Sequence, residues 1–137
     1  MAYSASDLEE MIAAKKKVAA WLFEGERDES LAAERIDALE KSRGVVLPQA
    51  YREFLQRHGA GDFAFGHVYS PLEESEWSLW KEFAFMPEKR GQIIPFSDNG
   101  CGDYYCFPVV DGRCGKKIVW ADHEQRYEVI DAEYGDF

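Results

Sequence analysis

The chain has 137 residues, 46% of them hydrophobic, with 26 acidic against 16 basic side chains and a formal net charge of −10. That length allows one domain with a real core and excludes two ordinary ones. The charge argues against nucleic acid or an anionic membrane as a direct ligand, since both demand Lys and Arg against phosphate. The elements start with Ser6-Asp7-Leu8-Glu9, which reads as a capping box, its hydroxyl and carboxylate meeting backbone donors left open at a helix start. Leu8, Met11, Ile12, Val18, Ala19 and Leu22 then share a face, interrupted by Lys15, Lys16 and Lys17, and Gly25 stops the helix. A second helix is predicted over 28–41, with Ala32, Ile36 and Leu39 inward and a turn at Gly44. A third spans 48–58. Pro48 suits its first position, where the missing N–H is not needed, and Gly59 suits a left-handed cap. Tyr51, Phe54, Leu55 and His58 fall on one face of that helix.

From Phe63 the pattern alternates, and 63–68 predicts a strand bounded by Gly61-Asp62 and Ser70-Pro71. In residues 72–85, Leu72, Trp77, Trp80 and Phe83 fit a short helix poorly and a strand worse. Further strands are predicted at 92–96, 103–109 and 116–121, with Asp111-Gly112 turning between the last two, and a final one at 126–131. Helices first and then a mostly antiparallel sheet is an α+β order. No repeat, low-complexity stretch or linker interrupts it, so 1–137 is expected to form one domain.

Two blocks are distinctive. One is Leu47-Pro48-Gln49-Ala50-Tyr51-Arg52-Glu53-Phe54-Leu55, closed by His58-Gly59-Ala60-Gly61. The other is Ile94-Pro95-Phe96-Ser97-Asp98-Asn99-Gly100-Cys101-Gly102-Asp103-Tyr104-Tyr105-Cys106-Phe107, followed by Val119-Trp120-Ala121-Asp122-His123-Glu124. In this order and separation the blocks resemble the SUKH superfamily over about residues 30–131, leaving 1–27 as an extra N-terminal helix. That superfamily contains yeast regulators of cell-wall assembly and bacterial immunity proteins that neutralise polymorphic toxins. The resemblance implies structural roles for Leu47, Pro48, Tyr51, Phe54, Leu55, Gly59, Gly61, Pro95, Gly100, Gly102, Asp103, Tyr104 and Trp120. Members commonly end in a helix after the last strand, and residues 133–137 are too short for one.

Cys101, Cys106, Cys114 and His123 have the residue types of a zinc site without its spacing, because four, seven and eight residues intervene where a tight turn needs two to four. No metal and no cofactor is expected. With no sign of an export signal, the three thiols are expected reduced in a cytoplasmic protein. Asp103, Asp122, His123 and Glu124 are the residues most like an active site, since a histidine flanked by carboxylates can act as a general base, with Cys101 as a nucleophile. Turn chemistry explains the same region. Asp98-Asn99-Gly100 and Gly102-Asp103 are what a tight connection with positive φ demands. Trp120 reads as sheet core, whereas Trp77 and Trp80 lie among Glu73, Glu74, Glu76 and Glu82, a mixture that suits a partner surface, with core packing the simpler reading for at least one of the two.

The resemblance implies a non-catalytic protein-binding module, an immunity protein that occludes a cationic toxin domain, such as a nuclease, encoded nearby. The acidic surface expected to meet it comprises Glu73, Glu74, Glu76 and Trp77, with Asp122, Glu124, Glu128 and Asp131 in the C-terminal part. The last 17 residues carry six acids and one base, half of the net charge. Two other readings stay open: a regulatory or scaffold protein of the yeast type, and a hydrolase-like enzyme using His123 with Asp103 or Glu124.

Overall fold

The computed structural model describes residues 5–63, 66–115, 117–125 and 127–136. Helices come first: α1 (Ala5–Ala19), a 3-10 turn at Ala20–Phe23, α2 (Ala33–Arg43) and α3 (Gln49–His58). The strands follow: β1 (Gly61–Phe63), β2 (Gly66–Val68), β3 (Ile93–Asp98), β4 (Tyr104–Val110), β5 (Arg113–Cys114), β6 (Lys117–Asp122) and β7 (Glu128–Asp136). A one-turn helix, α4 (Leu79–Glu82), lies between β2 and β3. All named strands pair antiparallel in the order β1-β2-β3-β4-β6-β7, with β5 attached to β4, so the architecture is the expected α+β. No helix among the described residues is long and apolar enough to cross a membrane.

The core forms where α3 meets the sheet. Tyr51 and Leu55 are fully buried and Phe54 nearly so, as the helical spacing predicts. The Tyr51 ring lies 5.4 Å from Phe107 and 6.4 Å from Phe96, and those two rings stack at 4.4 Å. The Tyr51 hydroxyl donates to the Tyr69 carbonyl at 2.5 Å, the partner that a buried phenol needs to offset its desolvation. Burial pushes its pKa up, so it stays neutral. Pro48 is the N-cap rather than the first helical residue. Pro95 cannot donate to a ladder, and the strand adapts with a bulge: the register shifts by one between Pro95 and Ser97, leaving Phe96 as the extra residue.

Several elements depart from the sequence reading. The second helix starts at Ala33, not 28, because residues 26–31 run extended beside β1 and α3. Asp28 N donates to Ala60 O and Leu31 N to Leu55 O, both at 2.9 Å, and those bonds outcompete a helical turn. Ala32 is its exposed N-cap and Leu39 is half-buried, while Ile36 is fully buried and Gly44 takes the left-handed cap at φ 65°. Residues 63–68 are not one strand. Phe63 pairs with Gly66, making β1 and β2 a hairpin whose connecting residues, Ala64 and Phe65, lie outside the described ones. The short strand β5 had no sequence signal of its own; it exists because Asp111 and Gly112 both take positive φ and reverse the chain on β4. The last strand runs to Asp136, so residues 133–136 extend the sheet.

The N-terminal helix is already running at Ala5, which places Ser6 inside the first turn and removes it as the cap. Ile12 is buried with Phe23, and Leu8, Ala19 and Phe63 complete a cluster separate from the main core. Met11 and Val18 point away, because at about 100° per residue they lie roughly a quarter-turn or more round the helix from Ile12. The Leu22 side chain lies outside the described residues. Glu9 ties α1 to α3 through His58 at 2.8 Å and Arg57 at 3.8 Å.

Candidate functional site

The richest polar constellation sits at one end of the sheet, where β3 passes to β4 and β6 to β7. The connection from Asp98 to Asp103 is a knot of Asx bonds. Asp98 Oδ1 accepts Gly100 N at 3.0 Å, and Asn99 Oδ1 accepts Cys101 N at 2.8 Å and Asp103 N at 3.2 Å. Gly100 and Gly102 both have positive φ, 76° and 101°, as the turn chemistry predicts. A Cβ on Gly102 would stand 3.1 Å from the His123 ring, so the loop is built around that histidine.

A His–Asp pair closes each end of this loop. At one, buried Asp103 accepts both the backbone N–H and ring Nδ1 of His123 on Oδ1, while Asn99 Nδ2 donates to its Oδ2 at 2.9 Å. At the other, Asp98 Oδ2 meets His67 Nε2 at 2.8 Å and accepts the Tyr69 hydroxyl. Burial opposes ionisation of Asp98 and Asp103, but their hydrogen bonds outweigh it and hold both carboxyls below the usual range. The same bonds raise both histidines: Asp103 acts on His123 and Asp98 on His67, against the pull of burial.

The pairs carry a pH signature. A raised histidine contributes stability that is fully present below its unfolded value of about 6.5 and is lost as pH rises through its folded value. The depressed aspartates contribute above about 3.9, and lose it as pH falls through their folded values. Both contributions are fully present together between about pH 4 and 6.5, so thermal stability should peak in that window and fall as pH rises above it. Removing both imidazoles, in a His67→Gln, His123→Gln chain, should flatten that fall in a melting series. An unchanged slope would assign it to other groups.

From β2 to the β6–β7 connection runs a band of aromatic rings. Trp77 lies 5.2 Å from His67, His67 5.4 Å from Tyr69, Tyr69 6.2 Å from Tyr104, and Tyr104 6.0 Å from Tyr127. Tyr104 donates to Glu82 at 3.0 Å, and burial pushes the Tyr69 and Tyr104 hydroxyls up, so they remain donors. Asp62, Glu82 and Asp98 stand beside His67, and Asp122 and Glu124 beside His123 with Glu128 paired across from Asp122, while the described residues of the two connections, 99–103 with 123–125 and 127, include no lysine or arginine. Arg126 lies outside the described residues.

The band joins the two segments singled out in the sequence. Trp77 is half-buried on His67, and Asp122, Glu124 and Glu128 sit where β6 passes to β7, with Glu124 and Glu128 exposed. Asp122 Oδ1 accepts Glu124 N at 2.9 Å. Glu76 is exposed, but Glu73 and Glu74 are engaged by Arg43 and Arg35 of α2. Arg43 also lies over the Trp80 ring at 4.2 Å, and Trp80 donates to the Pro71 carbonyl at 2.6 Å. The Asp131 side chain lies outside the described residues, and Trp120 is half-buried rather than core. His67, Tyr69, Glu82 and Tyr127 were missed in sequence. Only sheet pairing brings His67 to Asp98, thirty-one residues away.

Asp103, Asp122 and His123 are the group among the described residues whose ligand atoms come within 4.8 Å of one another. Their bonds to His123, Asn99 and Glu124 already occupy most of those oxygens, which makes them struts of the loop. Cys106 and Cys114 are buried, with burial pushing Cys114 up to about 12, whereas Cys101 is exposed on the loop. No curated protein matches the chain. A family model does, over residues 30–137, taking in α2 and α3, the whole sheet and both His–Asp pairs. The chain belongs to the SMI1 / KNR4 family, SUKH-1.

Proposed function

We propose that this chain is a non-catalytic protein-binding module of the cytoplasm, an immunity protein that occludes a cationic toxin domain encoded beside it. The family includes both immunity proteins and regulators, and is generally non-catalytic. The observation that carries the reading is the acidic, aromatic end of the sheet. Trp77 and Tyr127 supply partly buried rings backed by the buried Tyr104, and the surrounding carboxylates supply negative charge. Interface energy concentrates on aromatic anchors, while rim charges steer encounter. A toxin that holds phosphates, such as a nuclease, offers the complementary surface.

Co-expression with the adjacent gene product, followed by pull-down, tests the partner. Charge reversal then tests the surface. Reversal at Glu74 would also break its pairing with Arg35, so Glu76 and Glu124, both exposed, are the better positions. Glu76→Lys with Glu124→Lys should slow association about tenfold at low salt, and the difference should shrink as ionic strength rises. Association indifferent to both reversals and to salt would leave the acidic surface without a role in binding.

A further inference from the structure

The first helix carries two apolar faces. Leu8, Ile12 and Ala19 pack inward on Phe23 and Phe63. Met11, Ala14 and Val18 form a second stripe at three- and four-residue spacing, and this one is in solvent, with Met11 50% and Val18 80% exposed. Trp21, 63% exposed, continues the line into the 3-10 turn. Contiguous exposed apolar surface of this kind marks an interaction site. It lies outside residues 30–137, so it belongs to the segment added before the family's fold.

The charges on α1 say what covers it. Acids occupy its first half, Asp7, Glu9 and Glu10, and three lysines its second, Lys15, Lys16 and Lys17. Glu10 and Lys17 are seven residues apart, so they flank the same side of the stripe. Both are exposed, and neither makes an ion pair among the described residues.

We propose that this face of α1 forms a symmetric dimer with α1 of a second copy of the chain, the two helices running antiparallel. A two-fold axis at Ala14, whose small side chain permits close approach, sets Met11 against Val18 of the second copy. The same axis sets Glu10 beside Lys17 of the second copy, and symmetry makes each pair twice. A parallel arrangement would instead place Glu10 by Glu10 and Lys17 by Lys17. Both arrangements close a two-fold dimer, and only the antiparallel one makes the helix complementary to itself in charge. Elsewhere two copies of net charge −10 repel. A single helix pair falls short of a standard interface area, so the dimer depends on concentration. This inference stands independently of the toxin partner.

Sedimentation of the full chain across a wide concentration range tests it. The wild type should pass from monomer to dimer, and Val18→Glu or Met11→Lys should remain monomeric with an unchanged melting temperature. Glu10→Lys should weaken the dimer roughly tenfold, two surface pairs being reversed at once. Glu10→Lys combined with Lys17→Glu should restore it. A wild type that stays monomeric, a dimer that survives Val18→Glu, or a charge swap that fails to restore association would each overturn the proposal.

Discussion

Phe54→Ala should cost about 3–5 kcal/mol, the usual penalty for truncating a buried phenylalanine, and lower the melting temperature by about 10 °C or more. Phe54 is 6% exposed, and its ring meets Phe63 edge-on at 5.0 Å and His58 at 5.0 Å. Phe63 in turn meets Phe23 at 5.4 Å, so the ring links α3 to the cluster that holds α1. The cavity would therefore loosen two contacts at once. Met11→Ala, at a half-exposed position, should stay within about 0.5 kcal/mol of the wild type. A Phe54→Ala chain that melts within a few degrees of the wild type would contradict this placement.

Gly59→Ala should cost about 3 kcal/mol or more, through strain and collision together. Gly59 ends α3 with φ 72° and ψ −178°, a positive-φ extended conformation rather than the left-handed cap expected from sequence. A Cβ there would stand 2.4 Å from Asp28 O and 2.7 Å from Glu29 O. These are backbone atoms, and the Asp28 N–H is bonded to Ala60 O, so the segment cannot retreat without losing that bond. Gly100 separates the two effects. It has φ 76° with nothing within 4 Å of a Cβ, so Gly100→Ala should cost only the conformational strain, about 1–2 kcal/mol. Equal midpoints for the two variants in urea would show that the approach of 28–29 to Gly59 does not constrain the fold.

The comparison of these glycines shows how legibility divides. The Gly100 turn was readable because Asp, Asn and Gly within a few residues dictate their own hydrogen bonds. At Gly59 the sequence announced a helix end, but the neighbour that forbids a side chain comes from residues about thirty positions earlier. The predicted site divides likewise. Acids at Asp122, Glu124 and Glu128 were visible as composition, whereas the engagement of Glu73 and Glu74 by α2 depended on where that helix packs.

By itself the sequence determined the α+β order, the buried face of α3, the reversals at 98–103 and 111–112, and the acidic excess. Each is a local or additive property: helical spacing, turn chemistry, a sum of charges. Only the tertiary structure decided that residues 26–31 run extended, that Met11 and Val18 face solvent, and that His67 meets Asp98. Those outcomes turn on contacts between residues that are distant in the chain. Local propensity differs by a few tenths of a kcal/mol per residue, and burial or a paired hydrogen bond of about 1 kcal/mol or more overrides it.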